Sequence, residues 1–172
     1  MINEKVEKVL NEQVNAEIYS SYLYLSMSFY LSSINLDGFA QWMKAQALEE
    51  MVHGMKIYDY INERGGRVLL SSIEAPPTKW DNPVAVFVAT LEHEQKVTGL
   101  INNLVDVAIA EKDHATNIFL QWFVSEQVEE ESSVDAVLQK LKMVGDQGHG
   151  LFMMDRELSA RTPAVAALAP AE

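Results

Sequence analysis

The chain has 172 residues and no cysteine, which is enough for one domain with its own core and excludes disulfides, zinc–thiolate sites, iron–sulfur clusters and cysteine nucleophiles. Its 13 basic residues against 25 acidic ones leave a net charge of −12, which argues against a nucleic-acid surface and suits an interior that attracts cations. No run of about 18 apolar residues is available to span a membrane, and the N-terminus lacks the apolar stretch of a secretion signal, so the cytoplasm is the expected compartment.

Glycine and proline fall almost wholly in connections: Gly38, Gly65-Gly66, Pro76-Pro77 to Pro83, and Gly145 to Gly150. Between them, apolar residues alternate three and four apart, the period of a helix seam rather than of a strand. The first seam runs Val6, Leu10, Gln13, Glu17, Ser20, Tyr24, Met27, Leu31, Ile34. The second runs Phe39, Met43, Gln46, Glu50, His53, Ile57, Tyr60. The third runs Phe87, Leu91, Glu94, Thr98, Ile101, Val105, Ala108, and the fourth Leu120, Phe123, Gln127, Glu130, Val134, Val137, Leu141, Val144. At about 27 residues each helix is roughly 40 Å long. The link from Arg67 to Asn82 is too long for a tight turn and can run the length of a bundle. The expected fold is therefore all-α, a four-helix bundle of two antiparallel pairs joined by one long crossover. Leu151 to Leu158 predicts a short fifth helix, and the Ala/Pro-rich tail over about 160–172 is expected to be disordered, within a single domain spanning 1–172. The first helix carries a second apolar stripe, Val14, Ile18, Tyr22, Leu25 and Phe29, which predicts a homo-oligomer.

All four seams are apolar at their ends and polar at their middles. Glu17 to Glu50 spans 33 residues, as does Glu94 to Gln127; Glu17 to His53 spans 36, as does Glu94 to Glu130. Glutamate is almost never fully buried unless paired or bound to metal. A Glu and a His at i and i+3 share a helix face and can ligate one ion. One Glu from each of two helices with Glu-x-x-His pairs from the others is the carboxylate di-iron arrangement; here the second pair reads Gln127-x-x-Glu130. Four carboxylates balance two divalent ions, and oxygens with one imidazole suit iron, manganese or zinc, among which spacing does not choose. Without metal, the clustered carboxylates should hold protons.

The chain resembles the ferritins, specifically the non-haem type of bacteria and archaea, through Asn15-Ala16-Glu17-Ile18-Tyr19-Ser20, Glu49-Glu50-Met51-Val52-His53, Glu92-His93-Glu94 and the stretch from Phe119 to Glu131, with likeness reaching Asp155-Arg156-Glu157-Leu158. The resemblance implies a ferritin-like bundle that oxidises Fe(II) with O2 or H2O2 at an intrasubunit di-iron site, a ferroxidase. Fe(III) would be stored as mineral in a hollow shell of 24 subunits. It implies that Glu17, Glu50 and His53 hold one iron, that Glu50, Glu94 and Glu130 hold the second with Glu50 bridging, and that Gln127 lines the site. It further implies a third iron site at Glu49, Glu126 and Glu129, for which a solvated acidic face is the alternative. Tyr24, two turns beyond Glu17, would hydrogen-bond a ligand carboxylate or donate an electron, or simply pack.

Bacterioferritin differs in having Glu-x-x-His in both halves. With Gln127 and Glu130 here, the second position is expected to hold passing substrate iron, and Met51 is not expected to hold haem. The N-terminus offers only Lys5 and Lys8 against a DNA-protecting miniferritin, and a rubrerythrin would need cysteine-bound iron. A silent light-chain type would lack the paired residues. His93, His114 and His149 are expected to lie off the site, Trp122 to pack, and Asn117 and Leu120 argue against an acidic entry channel of the animal type.

Overall fold

In a computed structural model the described residues are 1–145 and 148–162. Each helix start has its own chemical reason. Asn3 accepts a hydrogen bond from the Lys5 amide and opens α1, Glu4–Ser33. Asn82 accepts from the Ala85 amide ahead of Pro83, which needs no amide partner at the first position, and so opens α3, Pro83–Ala110. Asp113 accepts from the Thr116 amide at the start of α4, His114–Val144. The second helix, α2, Asp37–Glu63, begins at Leu36 without a side-chain cap of its own. Its cap comes from the short α5, Gly148–Leu158: Asp155 Oδ1 accepts from the amides of Gly38 at 2.8 Å and Phe39 at 3.1 Å. Glycine is required there, because a Cβ at Gly38 would lie 1.7 Å from the Asp155 carbonyl oxygen.

The sequence expectation of an all-helical bundle holds, and no strand occurs among the described residues. The short α1–α2 and α3–α4 turns pass through left-handed backbone at Asn35 and Lys112. The long crossover is strapped along the outside of α1 from one end to the other. Arg67 and Leu69 donate backbone amides to Glu7 and Asn11, Ser26 donates to the Pro77 carbonyl, and Tyr30 donates to that of Trp80.

The core is divided in two. One apolar half gathers Tyr24, Met27, Leu31, Phe39, Met43, Phe87, Val134 and Leu141, closed by Met154 and Leu158 of α5. The other gathers Val6, Leu10, Ile57, Ile61, Ile101, Leu104, Leu120 and Phe123. Between them lies a buried polar belt of Gln13, Glu17, Gln46, Glu50, His53, Glu94, Gln127 and Glu130. The seams fray at two ends, where Ile34 and Val144 are exposed rather than buried. His149 lies in the first turn of α5 rather than in a link, because the helix begins one residue earlier, at Gly148. Residues 163–172, most of the tail expected to be disordered, lie outside the described residues.

Of the second stripe on α1, Val14 is buried while Tyr22 and Phe29 are exposed; Leu48, Met51, Met55 and Tyr58 of α2 are exposed as well. No helix among the described residues is long and apolar enough to cross a membrane.

Candidate metal centre

Heptad spacing puts one carboxylate of each long helix on the inward seam at the same level of the bundle. Glu17 comes from α1, Glu50 and His53 from successive turns of α2, Glu94 from α3, and Glu130 with Gln127 from α4. All six are at most 6 % exposed. Ligand atoms of Glu17, Glu50 and His53 lie within 4.8 Å of one another, and so do those of His53, Glu126 and Glu130. The His53 ring therefore stands between two acidic groups, with Nδ1 3.2 Å from Glu50 and Nε2 3.9 Å from Glu126.

Glu94 joins neither trio. It accepts from the Tyr24 hydroxyl and, at 3.3 Å, from the Gln127 amide, whose nitrogen also reaches Thr98. Two glutamines that the sequence reading left without a role organise the other carboxylates. Gln13 donates to Glu17 at 3.0 Å, and Gln46 donates to Glu130 at 2.6 Å and Glu50 at 3.3 Å. The signal that would have found them is present in the chain: Gln13 and Gln46 are themselves 33 residues apart, one helical turn ahead of Glu17 and Glu50.

Burial in this belt penalises charge. It pushes the Glu17 carboxyl from 4.5 up to about 8, with repulsion from Glu50 adding to it. Burial followed by Glu94 pushes Glu130 up to about 7. Glu50 is raised well above the usual range by burial and by Glu94 and Glu130, and Glu94 is raised chiefly by burial. The Tyr24 phenol is likewise raised well above 10, by burial first and then by Glu94. Glu17 Oε2 is buried with no hydrogen-bond partner, and so is Gln46 Oε1. An unpartnered buried oxygen among carboxyls that burial keeps protonated offers a cation a place where it can displace protons, and oxygens with one imidazole fit a first-row divalent ion.

The three residues assigned to a third site do not form a ligand trio of their own among the described residues. Glu49 pairs with Arg161, Glu126 turns toward His53 and Glu130, and Glu129 is exposed. His93 lies off the centre, with Nε2 2.8 Å from Ser20 Oγ and its ring against Tyr19 and Tyr24; burial, then Lys96, lowers it to about 4. His114 is exposed at the start of α4. Trp122 packs edge-on against His53 and Phe123.

Residues 7–144 match a family described as ferritin-like domain. The chain is 48 % identical over 161 residues to the bacterial non-heme ferritin of Bacteroides fragilis, covering 94 % of this chain and 100 % of that one. It is 41 % identical to that of Campylobacter jejuni, covering 91 % and 93 %. Among solved structures it is similar to an open pore ferritin from Archaeoglobus fulgidus, with a TM-score of 0.92, 51 % identity, and coverage of 94 % of this chain and 100 % of that one.

Proposed function

This chain belongs to the ferritin family, and on that premise we propose that it is a cytoplasmic iron-storage protein and ferroxidase. It takes up Fe(II), oxidises it with O2 or H2O2 at a pair of positions inside one subunit, and keeps Fe(III) as mineral within a shell of 24 copies. The observation that carries this reading is the buried belt itself: four glutamates and one histidine from four helices, with an oxygen of Glu17 left without a donor. The names of the relatives support iron, and the exposed apolar residues of α1 and α2 support association with further copies.

Iron is the substrate here. Glu17, Glu50 and His53 hold one ion, and Glu50, Glu94 and Glu130 the other, with Glu50 between them and Gln127 at the edge. The carboxyls hold protons before metal arrives, so binding expels those protons and lets the incoming charge replace them. Two ferrous ions side by side each supply one electron to a single oxidant molecule, so no one-electron product escapes. With two protons, O2 becomes H2O2, or H2O2 becomes two waters. Tyr24 keeps its proton and holds one Glu94 oxygen in place, while Gln46 links Glu50 to Glu130. With Gln127 and Glu130 where a second Glu-x-x-His pair would stand, Glu130 takes the place of the histidine and the second ion has no imidazole, which suits iron that departs after oxidation rather than a resident cofactor.

The test is aerobic Fe(II) addition to metal-free protein, following oxidation rate and the iron carried in the shell-sized gel-filtration fraction, beside Glu50→Ala. Fast oxidation with retained iron, both collapsing in the variant, is the expected result. Background-rate oxidation without retention overturns the proposal.

A further inference from the structure

Arg161 follows α5 and reaches back to the middle of α2. Its backbone amide is bonded to the Leu158 carbonyl, and α5 is itself fixed by the Asp155 cap and by Met154 and Leu158 in the core. Nη2 pairs with a Glu49 carboxylate oxygen, the guanidinium lies 4.1 Å over the Trp42 ring, and Nη1 is buried without a hydrogen-bond partner. Both side chains are largely covered, 20 % exposed for Arg161 and 12 % for Glu49. The pair is therefore shielded from solvent and stacked on an aromatic face, where a guanidinium interaction is worth more than at an open surface.

Glu49 stands beside Glu50 in the chain, and its charge is felt at Glu130. It is thus close enough to serve the acidic cluster, yet it belongs to neither trio of ligand atoms. An oxygen that accepts from a guanidinium is not available to a cation, and a second positive charge set beside Arg161 would be repelled by it. We propose that Arg161 is a built-in counter-ion that withholds Glu49 from metal, so that the chain binds divalent ions at the paired positions only and has no third site until the arginine is removed. The C-terminal segment then sets the ion capacity of a centre to which it contributes no ligand. This inference rests on the proposed metal centre.

Zinc, which does not undergo oxidation, is the probe. It is titrated calorimetrically into metal-free wild type, Arg161→Gln, Arg161→Lys and Arg161→Gln combined with Glu49→Gln, each first shown by circular dichroism and gel filtration to match the wild type. The expected stoichiometry is two per chain for wild type, three for Arg161→Gln, and two again for the lysine variant and the double variant. Equal stoichiometry in wild type and Arg161→Gln overturns the inference, as does a gain that survives loss of Glu49. If the arginine variants do not fold, Glu49→Gln alone decides, since loss of one ion would show that Glu49 already ligates metal. A wild type that binds no zinc overturns the metal centre itself, a result distinct from the others.

Discussion

Replacing Glu17 by glutamine isolates the energetic consequence of burying a carboxyl in the polar belt. The Glu17 carboxyl is raised from 4.5 to about 8, by burial first and by Glu50 second. A group whose folded value exceeds its unfolded one favours the fold while protonated; that contribution is whole below about pH 4.5 and is lost as pH rises through about 8. For a span of this size, linkage gives a loss of roughly 1 kcal/mol by pH 5.5 and roughly 4 kcal/mol by pH 8, so roughly 3 kcal/mol between the two. Glu17→Gln keeps an oxygen to accept from Gln13 and has nothing to ionise, so it escapes the loss. The assay is the thermal midpoint of metal-free protein with chelator present, followed by circular dichroism at both pH values. In a chain of this length 1 kcal/mol moves the midpoint by about 2–4 °C, so the variant should gain about 6–12 °C on the wild type over that pH step. Ionisation of the other glutamates affects both proteins and largely cancels in the comparison. A gap that stays constant with pH would refute the reasoning.

Zinc binding at about pH 6, where Glu17 and Glu130 still hold protons, should release protons to the buffer, and the release should diminish as pH rises through about 7 to 8; calorimetry in buffers of different ionisation enthalpy reads it, and a pH-independent release contradicts it. Asp155→Ala should remove about 1–2 kcal/mol by leaving the first amides of α2 without their acceptor, measured by chemical denaturation, whereas an unchanged midpoint would mean that water replaces the cap. Gly38→Ala should be worse, since its Cβ meets the Asp155 backbone, and loss of α5 docking should appear as faster amide exchange at Met154 and Leu158. Tyr24→Phe should weaken the ion held by Glu94 about 10-fold while sparing the Glu17 position; equal weakening of both ions in a zinc titration would assign the tyrosine a general packing role.

The helices, the crossover and the level of the polar belt are legible in the sequence because each depends on residues within one or two turns: a cap, a heptad, a glycine at a turn. The belt glutamates could be placed by spacing alone, since antiparallel pairs joined by short turns bring fixed chain separations to the same height. Gln13 and Gln46 follow the same spacing, but an amide is an unremarked core residue until its carboxylate partner is located. Contacts made by α5 are of another kind. Asp155 with Gly38, and Arg161 with Glu49, join residues more than a hundred positions apart, through a helix whose docking angle no local pattern records. The same holds for His93, whose neighbour in sequence points into the belt while its own ring turns to Ser20.

The division of the core has a consequence for how the helices find their vertical alignment. An apolar heptad seam tolerates a slide of seven residues, roughly 10 Å, because leucine-like layers meet leucine-like layers again. Here such a slide would drive Glu17 and Glu50 into the layers of Leu10 and Ile57, leaving ionisable groups without their partners. Exchanging the whole belt for leucine and methionine would give a bundle that melts at a higher temperature yet tolerates several alignments.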